Sequence, residues 1–212
     1  SSKLKILENC FSKDKNIKIV ELQSKEVITG KCAFCKCSSI QFLKIEESEK
    51  IIFGEGSFQD CSGLLEININ AITEFQALPN CLESATHLRT VLIKSPKVAI
   101  SNSCFKNAFL MKSISILKAD ETVLGNSACE NCKSLETVDA ESNKFKASSF
   151  CFYNANKLRI VNIVGKEIFI AGYCFDKCSS LTQVNCQSAN KIKLYETSFN
   201  GYPYNRYLNH KE

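Results

Sequence analysis

One position recurs along the whole chain at nearly constant spacing. It is occupied, in order, by Phe11, Phe34, Phe58, Leu82, Phe105, Cys129, Phe152, Phe175 and Phe199, which follow one another at intervals of 23 or 24 residues. We call these nine residues the anchors. A fixed period of this length is typical of solenoids, in which each turn is one structural unit that buries its apolar side chains only against its neighbours. The spacing therefore predicts about nine stacked turns.

Apolar residues follow each anchor at fixed distances. Three residues after Phe58 lies the small side chain of Cys61, and three further lies Leu64. An alternating pair comes next, here Ile67 and Ile69. Alternation with a period of two predicts a half-buried β-strand whose paired residues point inward. Each turn thus contributes one short strand to a parallel sheet.

A second alternating pair precedes each anchor, as Phe75 and Ala77 precede Leu82. This pair predicts a second column of strands. From each anchor to the next aliphatic residue the apolar positions are three apart, which suits a short helical or 3₁₀ turn.

The complete unit resembles the BspA-like leucine-rich repeats of bacterial surface proteins and protist parasites. Residues 32–40 and 172–181 carry the small-Phe-x-x-Cys-x-x-aliphatic pattern best, and the resemblance covers about Leu4 to Phe199. We therefore predict a leucine-rich-repeat solenoid of about nine turns of 23–24 residues, mainly β with short helical or 3₁₀ turns. It forms a single domain over residues 1–212, with repeats at about 4–199 and a C-terminal cap or tail at 200–212. The resemblance implies adhesion, protein binding or scaffolding.

Composition and charge exclude several other classes of protein. The 212 residues are 44% hydrophobic and include only 8 Gly and 3 Pro, so no flexible linker divides the chain. The net charge of +5 is spread over interleaved Lys and Glu and does not form a stripe for phosphates. Apolar runs such as 160–164 fall far short of the roughly 20 residues that span a bilayer. We expect neither a nucleic-acid partner nor membrane insertion.

Thirteen cysteines admit three interpretations: disulfides, metal ligands or buried small side chains. Most occupy the position before an anchor or the one three residues after it, and Ala or Ser fills the same positions in other turns. This exchange favours free thiols in the core. Cys32, Cys35 and Cys37 have local zinc-ligand spacing, as do Cys129 and Cys132. Four turns, roughly 19 Å, separate the two groups, so they cannot share one ion. We expect no metal and no cofactor.

Catalytic motifs are not evident. A nucleophile, a base and an orienting group cannot be nominated together, and His87 falls in a turn where exposure is the simpler interpretation. Cys32-x-x-Cys35 leaves a thiol redox enzyme as a remote alternative, but no βαβ unit surrounds this pair. The sequence favours a protein that is not an enzyme.

The strand after each aliphatic residue offers the best candidate binding surface. Its outward positions are mostly polar, but five apolar side chains interrupt them, and exposed apolar groups on a solvated sheet are typical of partner contacts. The predicted partner-binding residues are Phe42, Lys44, Asn68, Leu92, Leu117, Asp139, Ile160, Asn162 and Val164. They predict a non-catalytic protein-interaction module, a scaffold or complex subunit, that presents an extended strand face. The identity of the partner and the oligomeric state stay open.

Two lines of reasoning about compartment disagree. The sequence contains no N-x-S/T glycosylation acceptor, and many free thiols favour a reducing, cytoplasmic environment. The family resemblance favours the cell surface, where the chain would act as an adhesin that binds host or matrix proteins. Both alternatives stay open.

Overall fold

The computed structural model, which describes residues 2–199 and the backbone of 208–211, is a β-solenoid. All strand pairings among the described residues are parallel. The strands are β1 (Lys3–Ile6), β2 (Ile19–Leu22), β3 (Glu26–Thr29), β4 (Phe42–Phe53), β5 (Glu66–Ala77), β6 (Thr90–Lys94), β7 (Lys97–Ile100), β8 (Ser113–Leu124), β9 (Thr137–Ala147), β10 (Ile160–Val164), β11 (Glu167–Ile170), β12 (Gln183–Gln187), β13 (Lys191–Leu194) and β14 (Leu208–Lys211). Apart from β14, the predicted cap or tail at 200–212 lies outside the described residues.

Each turn contributes to two walls of strands. The front wall consists of β2, β6, β10, β12, β14 and the first halves of β4, β5, β8 and β9; the back wall consists of β1, β3, β7, β11, β13 and the second halves of the four long strands. Inward residues lie directly above their equivalents, as Ile67 pairs with Val91 across β5 and β6. Eight complete turns separate Phe11 from Phe199. The predicted leucine-rich-repeat solenoid is confirmed.

The one-residue difference between repeats is absorbed where the front wall meets the back wall. In a 23-residue turn the inward residues Ile93 and Val98 are five apart, whereas in a 24-residue turn Ile45 and Ile51 are six apart. The register between β8, in a 24-residue turn, and β9, in a 23-residue turn, shifts between Ile116 and Ala119 at this corner. A β-bulge accommodates the extra residue locally, so neither wall loses its register.

The anchors lie in a third wall, which is a succession of tight turns. The N–H of Cys37 donates to the carbonyl of Phe34 at 3.2 Å, and the same three-residue bond recurs in the other turns. Residues two before and two after each described anchor up to Phe175 have positive φ, such as Ser103 (56°) and Asn107 (63°) around Phe105. Because two left-handed residues lie only four positions apart in each turn, a regular helix cannot extend through this wall. The expected short helical or 3₁₀ turns take this form, and in the described part a 3₁₀ helix occurs only at Glu196–Phe199.

Backbone hydrogen bonds join successive turns in this third wall as well. Every anchor N–H from Phe11 to Phe175 donates to the carbonyl of the residue preceding the next anchor. The distance is 2.7 Å from Phe34 to Ser57 and 2.7 Å from Phe105 to Ala128. All three walls of a turn are therefore bonded to the next turn.

Aromatic anchors stack along the core. The ring centroids of Phe34 and Phe58 are 4.9 Å apart with an interplanar angle of 6°, and those of Phe152 and Phe175 are 5.5 Å apart at 5°. In the middle of the solenoid, Leu82 and Cys129 replace the aromatic ring and are also fully buried. The buried apolar residues from Ile6 to Phe199 form one continuous core.

Charged side chains on the outside of the back wall alternate in sign from turn to turn. We call this column, in which each residue faces the next across a parallel strand pair, the charge ladder. It consists of Lys3, Glu26, Lys50, Glu74, Lys97, Glu121, Lys144, Glu167 and Lys191. The Nζ–Oε distance is 3.0 Å between Lys3 and Glu26 and 2.9 Å between Lys50 and Glu74. Each exposed ion pair adds little stability by itself. If a strand paired one turn out of place, however, like charges would lie side by side, which is destabilising.

Replacing Phe105 with Ala should destabilise the solenoid by about 3 to 5 kcal/mol, because the cavity would lie between two buried neighbours. Phe109→Ala is the matched control, since Phe109 is 38% exposed whereas Phe105 is 1% exposed. Urea unfolding followed by circular dichroism measures both. Equal losses of stability would contradict the anchor register.

Replacing Glu121 with Lys should destabilise the protein by about 1 kcal/mol, because Lys97 and Lys144 then flank a third lysine. The loss should shrink in about 1 M NaCl, where the screening length falls to about 3 Å. Glu141→Lys is the control, because its neighbour across β10 is the uncharged Val164. A loss of stability at Glu121 that salt does not reduce would argue against the ladder.

Candidate functional site

The front wall presents its outward side chains to solvent, and we call this array of side chains the front face. All nine predicted partner-binding residues lie on it. Phe42 and Val164 are about 40% exposed (41% and 40%), and Lys44 is exposed. Leu92, Leu117, Ile160, Asn68, Asp139 and Asn162 are half-buried. The structure divides the nine residues into three groups along the stack.

The first group lies at the N-terminal end of the front face. Phe42, Lys44 and Asn68 line one shallow depression together with Ile19 and Glu21. Ile19 pairs directly with Phe42 across β2 and β4 and is 58% exposed, so it belongs to the same apolar surface. The sequence prediction omitted Ile19, although its equivalence to Phe42 in the repeat marks it.

An ion pair borders this depression. The Nζ of Lys44 lies 3.3 Å from Oε1 of Glu46 on the same strand. Glu21, Lys44 and Glu46 also line a neighbouring depression towards the corner. The apolar surface of Phe42 and Ile19 thus has a charged rim, which is the usual arrangement at protein interfaces.

The second group is Leu92 and Leu117, in the middle of the front face. Leu117 pairs with Lys94 across β6 and β8, and Leu92 pairs with Ser115. The two leucines are therefore diagonal neighbours on adjacent strands. They form one small apolar surface.

The third group combines apolar side chains with a ladder of amides. Asn162 Nδ2 donates to Oδ1 of Asp139 at 2.7 Å, and Asn185 Nδ2 donates to Oδ1 of Asn162 at 2.7 Å. Ile160 and Val164 lie on the same strand as Asn162, one on each side of it. The ladder of amides already uses some of the hydrogen-bonding groups of Asp139 and Asn162. Binding of a partner at this end would therefore depend more on Ile160 and Val164.

The three groups are close enough for one partner. Five turns separate Phe42 from Ile160, which corresponds to roughly 24 Å at one strand spacing per turn. A protein interface of standard size covers roughly 800 Å² per partner and can span that length.

Sulfur chemistry is the remaining candidate for catalysis, and the 13 thiols differ in burial. Eleven of the 13 thiols are buried, whereas Cys10 is exposed and Cys32 is half-buried. All 13 are free. Burial raises the pKa of Cys186 to about 11, and it also raises the pKa of Cys61 and Cys178. At neutral pH these groups are thiols and not nucleophilic thiolates.

The Cys32-x-x-Cys35 pair brings its two sulfur atoms within hydrogen-bond reach. Burial, followed by the charge of Cys32 and the hydrogen bond to it, raises the pKa of Cys35 to about 11. Thiol oxidoreductases instead lower the pKa of their nucleophile. Cys35 lacks that activation.

Three fully buried thiols also meet in the middle of the core. Cys132 and Cys151 donate hydrogen bonds that lower the pKa of Cys129, whereas burial raises the pKa of both donors. Because all three side chains are 0% exposed, a substrate cannot reach them in the folded protein.

Thiols three residues after an anchor have a role that the sequence analysis missed. Cys37, Cys61, Cys132 and Cys178 each donate to the carbonyl of the preceding turn's anchor, over 2.9 to 3.2 Å. The small size of the side chain alone explains why Ala occupies the same position in other turns. The thiols in addition bond one turn to the next.

Neither a metal site nor a membrane-spanning helix is found in the described part of the chain. Among these residues, no group of three or more His, Cys, Asp or Glu side chains is arranged to hold a metal ion. No described helix is long and apolar enough to cross a membrane. His87 is exposed, and its Nδ1 lies 2.8 Å from the carbonyl oxygen of Ser62.

The fold and the front face define a class: a parallel β-solenoid repeat protein with a solvated sheet face. The chain belongs to the BspA-type leucine-rich-repeat family. The family model described as BspA type leucine rich repeat region (6 copies) matches residues 1–109 and 98–205. The resemblance seen in residues 32–40 and 172–181 is thereby confirmed. None of the curated proteins compared with the chain matches it.

Two solved structures of bacterial proteins are similar to the chain. A leucine rich cell surface protein from Faecalibacterium prausnitzii A2-165 is 12% identical, and the match covers 93% of this chain and 85% of that one with a TM-score of 0.33. A leucine-rich repeat protein from Bacteroides ovatus ATCC 8483 is also 12% identical, with 98% and 78% covered and a TM-score of 0.38.

Alkylation should separate the thiols by burial. In native protein, Cys10 and Cys32 should react with iodoacetamide within minutes, and the other eleven should react only after addition of denaturant. Mass spectrometry of the labelled peptides identifies each cysteine. Recovery of several disulfide-linked peptides from unreduced protein would contradict the free-thiol core.

Proposed function

We propose that the front face binds a protein partner and that the chain acts as a scaffold or complex subunit. The observation that carries this proposal is the distribution of apolar side chains over the front face. Ile19 with Phe42, Leu92 with Leu117, and Ile160 with Val164 interrupt an otherwise polar sheet whose backbone is already paired. Such side chains gain energy by leaving water, and a protein surface of ordinary size can cover all three groups.

A binding role agrees with the rest of the molecule better than catalysis does. The front-face depressions are shallow and lined mainly by exposed or half-buried side chains, whereas small-molecule sites are usually enclosed pockets. The most buried thiols are unreactive in the folded state. Parallel stacking makes the front wall rigid, so a partner loses little free energy in ordering it.

Leu92→Asp and Ile160→Asp should each reduce partner capture about tenfold or more, because each places an unpaired carboxylate in the apolar part of the contact. The assay is capture from the source lysate on immobilised protein, quantified by mass spectrometry. Circular dichroism must show that every variant stays folded.

Ile72→Asp is the matched control. Ile72 is 57% exposed at the corner between the walls, so the chemical change is the same but lies off the front face. The parent and the Ile72 variant should capture the same proteins. If folded Leu92 and Ile160 variants also capture all of them, the front face is not the binding site.

A further inference from the structure

The back wall carries a second outward column beside the charge ladder, and we call it the back column. It consists of Lys5, Ile28, Ile52, Gln76, Ala99, Val123, Lys146, Phe169 and Lys193. The five members from Ile28 to Val123 are uncharged. Because the charge ladder alternates in sign, Lys146 and Lys193 add positive charge that it does not balance. Lys5 lies by itself in the first turn, whereas Lys146 and Lys193 lie close together in the last three turns of the back wall.

Aromatic rings hold these two lysines in place. The Nζ atoms of Lys146 and Lys193 lie 5.5 Å and 5.7 Å from the centroid of Phe169, which is located between them. Lys193 Nζ also lies 5.7 Å from the ring of Tyr195, and Tyr195 packs edge-on against Phe169 at 5.8 Å. Cation–π contacts of this kind position an ammonium group without neutralising its charge.

These lysines border a shallow depression of about 220 Å³. Lys144 and Lys191 of the charge ladder also line it, together with Glu121 and Glu167. Four lysines against two glutamates leave two positive charges in excess. The ring of Phe169 and the aliphatic stems of the lysines provide apolar surface between the charges.

We propose that this depression binds an acidic polypeptide segment in an extended conformation. Lys144 and Lys146 are two residues apart on one strand, as are Lys191 and Lys193 on another, and this spacing is roughly 6.6 Å. An extended peptide presents alternate side chains at the same spacing. Carboxylates two residues apart therefore match either pair of ammonium groups, and the backbone lies over the apolar surface between them.

Charge distribution distinguishes a peptide from a uniform polyanion. Glu167 lies between Lys144 and Lys191, and Glu121 lies on the other side of Lys144. Both carboxylates repel a phosphate backbone, whereas a peptide carries carboxylates only at alternate positions. The outer strands of the lysine cluster, β9 and β13, are roughly 10 Å apart. Nucleic-acid sites with strong affinity usually contact about six or more phosphates, which needs a longer surface. The site is independent of the front face, because it lies on another wall and binds another chemistry.

The probe is a fluorescein-labelled peptide of about ten alternating Asp and Ala residues, titrated with the full chain and followed by fluorescence anisotropy. Binding should weaken between about 50 and 500 mM NaCl because the contacts are exposed ion pairs. The double variant Lys146→Glu/Lys193→Glu should bind about tenfold more weakly or worse, and Lys146→Gln/Lys193→Gln should bind with intermediate affinity.

Lys112→Glu/Lys157→Glu is the matched control, since both lysines are exposed outside the back wall and the net charge changes equally. It should bind like the parent. The proposal is overturned if this control weakens binding as much as the Lys146/Lys193 pair, or if the parent shows no salt-sensitive binding. It is also overturned if an oligonucleotide or polyphosphate of similar length binds more tightly than the peptide. Circular dichroism checks the fold of each variant.

Discussion

Parallel hydrogen bonding between successive turns is the constraint on which the whole molecule depends. The front wall, the back wall and the third wall of tight turns are all hydrogen-bonded from turn to turn. Each residue therefore lies directly over its equivalent in the next turn. Stacked rings, cysteine-to-carbonyl bonds, amide ladders and alternating charges are all consequences of this superposition. The third wall shows the same effect at left-handed positions. There Asn131 Nδ2 donates to Oδ1 of Asn107 at 3.0 Å, and Asn154 Nδ2 donates to Oδ1 of Asn131 at 2.7 Å.

The repeat made most of the fold predictable from sequence. Spacing of the anchors and alternation of pairs such as Ile67 and Ile69 define the walls, because period alone determines which side chains point inward. The left-handed residues beside the anchors were not predictable, because Gly56 is the one described position among them with the glycine that usually marks such φ angles, and Lys, Asn and Ser fill most of the others. The grouping of the front-face residues depended on strand register, which places Leu117 diagonally from Leu92. Ile19 and the charge ladder could have been found by aligning the outward positions of every repeat.

The two strand walls differ in what they offer a partner. The front face presents separated apolar surfaces with polar ladders between them, which suits contact over a broad area. The back wall carries alternating charges along its length, and near its C-terminal end two additional lysines, Lys146 and Lys193, flank Phe169. One rigid stack can therefore present two surfaces that differ in chemistry, because outward positions are free of the packing constraints that define the core.

Alternating charge gives the back wall a repeating unit of two turns, although the backbone repeats after one. Deleting the turn that carries Glu121 would place Lys97 beside Lys144, whereas deleting that turn and the next would place Lys97 beside Glu167. Gene rearrangements that add or remove repeats in pairs preserve the pattern, and those that change the number by one break it. The side chains of the back wall thus distinguish even from odd changes in length, a distinction that the backbone cannot make.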